Sequence, residues 1–469
     1  MPRPPGTRSL NPLLLWRRLS PPALFLFSFV VLIGVGTLGL WQVQAFYVGE
    51  PLSLLRALFT MTSAVCVTGL ILVDTATHFT FWGQLWILLF IQLGGLGFIT
   101  LTTLIVGVLG RRLSLRSETL AFSHPGHHSG NSDVVEVLGA LTRFILLFEA
   151  AGALILFALF WPHFPWYEAL WHAVFHSVSA FCNAGFSTFT DSLVPMNDHP
   201  GVLVVVSLII VAGSTGYLTF SELLAWWKQG RLRGARRLSS HTWAVLVTTG
   251  LLLLGPTLLF AFFEWNGVLA RFDLPSKLAN AWFLAVTPRT AGFNAVDYGQ
   301  LRIDSASLTI MLMVVGGSPG SMAGGVKTTT LALLVAMGVS RLVGKRKVAM
   351  HARGIPDATV ERAASVGLLY VAVLTAAFFA LNAIQSSGLS ARETHAQFLP
   401  IAFESVSALS TVGLSMGETL ALRSWGLVVV ILLMFIGRVG LLSFFAAMIL
   451  RTRRTRAIVR LAQEDIMIG

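Results

Sequence analysis

Charge-poor stretches recur eight times along the chain, at 23–46, 81–109, 143–162, 201–227, 241–263, 303–343, 363–388 and 424–450. Each is long enough to cross about 30 Å of hydrocarbon, which takes roughly 20 helical residues. Between the first and second lies a shorter apolar segment, Leu52–Val65, too short to cross. Similar short segments precede Cys182, Pro288 and Ser410. The pattern predicts span, half-span, span, repeated four times. The sixth stretch is too long for one plain helix, and Gly316, Gly317, Ser318, Pro319 and Gly320, then Gly324 and Gly325, interrupt it. The fold class expected is an all-α membrane protein with eight transmembrane spans.

Composition closes off the alternatives. The 469 residues are 55% hydrophobic and only 12% charged, where soluble domains carry about a quarter charged residues. A soluble enzyme, a disordered chain and a disulfide scaffold are excluded. The first span is too long for a signal-peptide core and is read as retained. Cys66 and Cys182 are the only cysteines, and whether they are ever bridged stays open. The net charge of +12 acquires meaning only when sorted by loop. Five regions that should share one side (the N-terminus, 110–143, 228–241, 341–362 and the tail from Arg451) hold 24 of the 33 Lys and Arg but seven acids. That asymmetry predicts cytoplasmic termini in a plasma membrane, with half-spans dipping in from outside. It speaks for anionic lipid nearby and against nucleic acid as a partner.

The short segments share an ending: Cys66-Val67-Thr68-Gly69-Leu70, Cys182-Asn183-Ala184-Gly185-Phe186, Arg289-Thr290-Ala291-Gly292-Phe293 and Ser410-Thr411-Val412-Gly413-Leu414. Their glycines stand 116, 107 and 121 residues apart. An aromatic lies ten positions before each (Phe59, Phe175, Trp282, Phe403), and three have a serine six before (Ser63, Ser179, Ser407). A half-helix that ends in mid-membrane presents unpaired carbonyls, a partial negative charge that favours a cation. Extended residues beyond it can aim backbone oxygens at an axis and replace a hydration shell. Glycine supplies the φ angles and the close approach this needs. Four such hairpins would build a selectivity filter from Val67, Thr68, Gly69; Asn183, Ala184, Gly185; Thr290, Ala291, Gly292; and Thr411, Val412, Gly413, with a cation at their carbonyls.

These motifs, with Thr62-Ser63-Ala64-Val65 before the first and Asn294 after the third, closely resemble the filters of the Trk/Ktr/HKT potassium transporter superfamily. Eight spans without an extra pair resemble its KtrB-type membrane subunit more than its TrkH type. Glycine in all four filters resembles the potassium-selective members, whereas Cys66 and Pro288 depart from the pattern and leave fine selectivity open. The resemblance implies four M1–pore-helix–M2 repeats around a pseudo-fourfold pore. It divides the chain into a cytoplasmic N-terminus (1–22), repeat 1 (23–110), repeat 2 with its preceding cytoplasmic loop (111–227), repeat 3 with an intramembrane gate loop at 316–330 (228–343), repeat 4 (344–450) and a cytoplasmic tail (451–469). It further implies K+ as the transported ion, with Na+ as an activator left open and no covalent cofactor, a homodimer, and a cytoplasmic ring of nucleotide-binding KtrA-type regulatory subunits. The closing run Glu464–Gly469 resembles the family's dimer-interface segment.

The resemblance implies that the polar run of the sixth span is the gate, Gly316, Gly317, Ser318, Pro319, Gly320, Gly324, Gly325 and Lys327, faced by Arg438 from the last span. Freed backbone at membrane depth must line a cavity or be covered by protein, and buried cations are costly and usually functional. Arg438 lies too deep to snorkel easily and is expected to bond loop carbonyls. Gly316–Gly320 also matches a G-x-S-x-G nucleophile elbow, but that motif needs a strand-to-helix turn in an α/β sheet. Gly325-Val326-Lys327 lacks the adjacent Gly-Lys of a phosphate loop. Neither supports an enzyme. Arg289 is read as a structural clamp, and Glu149 and Glu222, placed nearer span ends, receive no role. His172 and His176 lack a third metal ligand. Trp161, Trp166 and Trp171 suit an interfacial belt. The competing classes are a TrkH-type or Na+-permeable relative, an alternating-access carrier, which would need inverted repeats, and an intramembrane hydrolase.

Overall fold

The computed structural model describes residues 21–113, 131–230, 238–345, 347–351 and 353–440. The tail from 441, including Glu464–Gly469, residues 1–20 of the expected N-terminal segment and 114–130 of the expected 110–143 cytoplasmic segment lie outside the described residues. The described chain is mainly helical. Helices α1 (Pro21–Gln42), α2 (Leu54–Val65) and α3 (Phe81–Leu113) come first. They are followed by α4 (Asn131–Phe160), α5 (Trp166–Cys182), α6 (Pro200–Thr215) and α7 (Tyr217–Gly230). Next are α8 (Ser240–Glu264), α9 (Leu274–Val286), α10 (Ile303–Val314) and α11 (Thr328–Leu342). The last are α12 (Asp357–Gln385), α13 (Ala391–Ser410) and α14 (Ser424–Val439). A two-residue hairpin, Ala349–Met350 with Arg353–Gly354, lies between α11 and α12.

Local chemistry sets several of these boundaries. Ser239 caps α8 by accepting from the Thr242 N–H, and Asp273 caps α9 by accepting from Ser276, with Pro275 in the first turn. A Ser390–Glu393 capping box opens α13. Each such cap satisfies donors that would otherwise be orphaned, worth about 1 kcal/mol.

Three helices in the described residues are long and apolar enough to cross a membrane: Gly139–Phe160 within α4, α8 and α12. The pair α6–α7 adds a fourth if counted as one span, but it bends by 99° at Gly216. The expected plain span at 201–227 is therefore broken, because Gly216 takes φ +83°, where helix cannot continue. The expected stretch 303–343 is two short helices separated by non-helical residues 315–327. Outward faces of the long helices are apolar, with Leu154, Leu251 and Phe262 at least 70% exposed. That is the surface of an integral membrane protein, whose backbone bonds are made within helices.

The short helices α2, α5, α9 and α13 are buried through their C-terminal halves. Each packs against the long helix before it in sequence: α2 on α1, α5 on α4, α9 on α8, α13 on α12. Each also packs on a helix further back: α5 on α3, α9 on α6, α13 on α10, and α2 on α14. The last contact joins the two ends of the described chain and closes the arrangement on itself.

Candidate ion pathway

Beyond each short helix the backbone makes the same turn. The residue two before each glycine is left-handed: Val67 (φ 55°), Asn183 (60°), Thr290 (66°) and Thr411 (54°). The glycines follow at φ 98°, 70°, 75° and 96°. A left-handed non-glycine residue costs about 1–2 kcal/mol, so four in register are held by their surroundings rather than by preference.

The four segments meet head to tail. A Cβ on Gly69 would come within 2.6 Å of the Ala184 carbonyl oxygen, on Gly185 within 2.9 Å of Ala291 O, on Gly292 within 2.4 Å of Val412 O, and on Gly413 within 2.2 Å of Thr68 O. The contacts run from first to second, third, fourth and back to first. Only glycine permits this approach, and its backbone oxygens are the atoms that crowd together.

Hydroxyls behind the turns fix them in two ways. Ser63 and Ser407 accept from the N–H of Gly69 and Gly413, at 3.0 and 3.1 Å. Ser179 and Thr287 donate to the carbonyls of Phe186 and Phe293, at 2.7 and 2.8 Å. Thr287 is five residues before its glycine, not six. The N–H before each glycine bonds back five residues in the others (Thr68 to Ser63, Ala184 to Ser179, Val412 to Ser407) but four in the third (Ala291 to Thr287). The third turn is thus one residue shorter. Phe283, fully buried, takes the place of Phe59, Phe175 and Phe403, and the expected Trp282 is only partly buried. A fixed offset from the glycine hid both the hydroxyl and the ring; the Thr287–Gly292 spacing with a one-residue gap was the available signal.

Three helical glycines seat on the ends of the short helices. Cβ atoms on Gly94, Gly213 and Gly437 would lie 2.0 Å from the carbonyl oxygens of Val65, Phe181 and Leu409, each four residues before its turn glycine. No position in the sequence reading singled them out.

Segment 315–327 lies against these turns. Val315 and Val326 pair as an isolated parallel bridge, with Gly316 N–H to Val326 O at 3.0 Å. The segment is tied to the break between α6 and α7: Ser318 N–H donates to Ser214 O (2.9 Å), Met322 N–H to Gly213 O (3.1 Å), and Ser318 Oγ to Thr215 O. A Cβ on Gly324 would strike the Thr411 hydroxyl and one on Gly317 the Ser214 carbonyl, so both positions are closed to side chains. Gly320 and Gly325 adopt φ 74° and 62°, flanking the turn after Pro319. From α14, Arg438 Nη1 donates to Met322 O at 2.6 Å. Lys327 Nζ donates to Ala323 O at 2.5 Å, within the segment itself. Arg289, buried, reaches Gly316 O at 3.5 Å and Thr249 Oγ1 at 3.4 Å. The arrangement is a polar plug of backbone bonded to two helices and abutting the four-glycine ring.

Other residues stand differently from expectation. Glu149 is not near a span end: it lies midway along the apolar part of α4, buried, and accepts from Gln92 Nε2 at 3.1 Å. Glu222 accepts from the Ser239 N–H and Oγ, 2.7 and 2.6 Å, tying α7 to the start of α8. Trp161 and Trp166 are exposed as a belt requires, but Trp171 is turned inward, donating to Gln84 Oε1 at 2.7 Å and lying 4.5 Å from the Phe81 ring. His172 and His176 bond Thr188 and Ser187, at 2.7 and 2.9 Å, and brace the chain beyond the second turn. Glu404, buried in α13, accepts from Ser415 (2.9 Å) and Thr419 beyond the fourth. Cys66 and Cys182 are both free and buried.

The family described as "TrkH: Cation transport protein" matches residues 28–453. The potassium/sodium uptake protein NtpJ of Enterococcus hirae is 34% identical over 97% of this chain and 98% of its own. The Ktr system potassium uptake protein B of Bacillus subtilis is 34% identical over 92% of this chain and 93% of its own. Among solved structures, the potassium transporter TrkH from Vibrio parahaemolyticus superposes with a TM-score of 0.71 at 20% identity, covering 94% of this chain and 86% of its own. That last likeness is one of fold.

Proposed function

Because the chain belongs to the TrkH family of cation transport proteins, we propose that it is the potassium-translocating membrane subunit of a Ktr-type uptake system. Ions pass through a filter of four repeats contributed by one chain, within eight spans whose termini both face the cytoplasm. The carbonyls of Val67–Gly69, Asn183–Gly185, Thr290–Gly292 and Thr411–Gly413 replace the water around K+. Segment 316–330, latched by Arg438, is the gate. The observation that carries this reading is the closed cycle of glycines, each crowded against the carbonyl of the next segment. A packing hairpin needs one such glycine; a ring of them is what a carbonyl-lined axis requires.

The membrane potential drives uptake, at about 2.3 kcal/mol per elementary charge per 100 mV, so the chain needs no nucleotide site of its own. Regulation comes from a cytoplasmic KtrA-type ring acting on the gate, and the membrane subunits pair as homodimers with a pore in each. Basic loops face the ring or anionic lipid. A second reading, a potassium/sodium pathway, is favoured by the name of the relative NtpJ.

Uptake in a strain lacking its own potassium systems, with the regulatory subunit supplied, tests the proposal. Wild type should restore growth at low K+, and Gly185→Ser should lower the preference for K+ over Na+. No rescue by a correctly inserted wild type overturns the transporter reading. An unchanged preference in Gly185→Ser overturns the filter assignment, and equal K+ and Na+ uptake by wild type selects the second reading.

A further inference from the structure

Glu149 is a carboxylate at the middle of an apolar helix, 5% exposed. Placing such a group at membrane depth costs several kcal/mol unless something nearby offsets it. Among the described residues the structure gives it no ion pair. Its bonds run instead toward the proposed filter. Gln92 Nε2 of α3 donates to Glu149 Oε2 at 3.1 Å, and Gln92 Oε1 accepts from the Cys182 thiol at 3.3 Å. The same sulfur lies 3.9 Å from Glu149 Oε1. Cys182 is the last residue of α5, and the left-handed Asn183 follows it directly. A second link joins the backbone of Glu149 to the same helix, where Ser177 Oγ donates to its carbonyl at 2.7 Å.

The cluster also reaches the gate segment. A Cβ on Gly95 would lie 3.1 Å from Cys182 Sγ and 3.2 Å from Met322 Sδ, so both sulfurs rest on one point of α3. Met322 is the residue whose carbonyl Arg438 holds.

We propose that Glu149 is a positioning residue of the ion pathway: through Gln92 and Cys182 it fixes the second filter segment, and its negative charge is balanced by the cation in the filter. This rests on the filter reading above. It goes beyond that reading by adding a side-chain charge, from outside the filter, to a site otherwise built of backbone dipoles. A purely structural clamp would need the hydrogen bonds but not the charge, and Glu149→Gln separates the two.

The test is K+-dependent thermal stabilisation of the purified full-length protein in detergent, titrated with KCl against choline chloride at constant ionic strength. Glu149→Gln should raise the K+ midpoint on the order of fivefold, a loss of about 1 kcal/mol of attraction for the cation. The swap Gln92→Glu with Glu149→Gln keeps one carboxylate and one amide in the same pair and should stay near the wild-type midpoint. Equal midpoints in wild type and Glu149→Gln would overturn the inference while leaving the filter standing. Should Glu149→Gln fail to assemble, the swap decides: a midpoint raised as far as fivefold would overturn it. A wild type that K+ does not stabilise would overturn the filter reading and this inference with it.

Discussion

Replacing Arg438 by Met removes its hydrogen bond from α14 to the proposed gate segment while keeping most of the side chain's length and apolar packing. The lost bond is 2.6 Å long and runs from a guanidinium to the Met322 carbonyl in a buried site. Hydrogen bonds to charged groups contribute about 1.5–3 kcal/mol. The segment's other ties, from Ser318 and Met322 to the end of α6, remain. Taking about 2 kcal/mol as the loss, the ratio of open to closed forms rises roughly 30-fold. A pore open about 1% of the time would then be open nearly a quarter of the time. The assay is tracer rubidium flux into proteoliposomes containing the membrane subunit alone, so that regulation does not intervene. Arg438→Met should leak strongly, and Arg438→Lys, which keeps the charge and one donor, should fall between. Equal or lower flux in Arg438→Met, at matched reconstitution and melting temperature, would refute the assignment of this bond as a latch.

Other expectations follow from the same geometry. Gly413→Ala sets a Cβ 2.2 Å from the Thr68 carbonyl at φ 96° and should abolish uptake, whereas Gly344→Ala, at φ 73° with open space around it, should lower the melting temperature by the backbone strain alone, about 1–2 kcal/mol, and leave uptake intact. Thr287→Val keeps shape but strands the Phe293 carbonyl, a loss of about 1–3 kcal/mol, and should weaken the preference for K+ over Na+ in competition uptake; Thr287→Ser should not. Ser318→Ala loses one bond to the Thr215 carbonyl, so uptake should persist with a modest rise in unregulated flux; complete loss of function would instead revive a hydrolase.

What the sequence revealed was whatever is written locally. Glycines at a period above 100 residues and a polar run inside an apolar stretch need no tertiary knowledge, and both mark the elements that the fold gathers at one place. Features that depend on phase or on facing were harder. Aligning the third segment on its glycine alone misassigned Trp282, because the missing residue lies between Thr287 and Thr290 and shifts everything before it. Glu149 lies near the edge of a charge-poor stretch that starts at 143, whereas the helix begins at Asn131 and its apolar portion at Gly139, which puts the carboxylate midway. Trp171 was read by type, although which face of α5 it occupies is set by Gln84 on α3. The break at Gly216 was invisible because Gly213-Ser214-Thr215-Gly216 carries no proline and only two glycines in an otherwise apolar run.

The third unit departs from the others in two places, and Arg289 connects them. In the first, second and fourth, a helical glycine (Gly94, Gly213, Gly437) presses on the carbonyl of Val65, Phe181 or Leu409 in the last turn of the short helix. In the third, the spacing puts Gly316 at the same place, but α10 has already ended at Val314. The shortened turn replaces three residues by Pro288 and Arg289, and the guanidinium holds the Gly316 carbonyl that a helix would have held. A continuous helix there would satisfy its own carbonyls and leave the buried guanidinium with Thr249 Oγ1, at 3.4 Å, in place of the pair of acceptors it has now. Arg289 holds the start of segment 315–327 from the third turn and Arg438 its middle from α14, so the proposed gate is tied at two points by buried cations on separate elements.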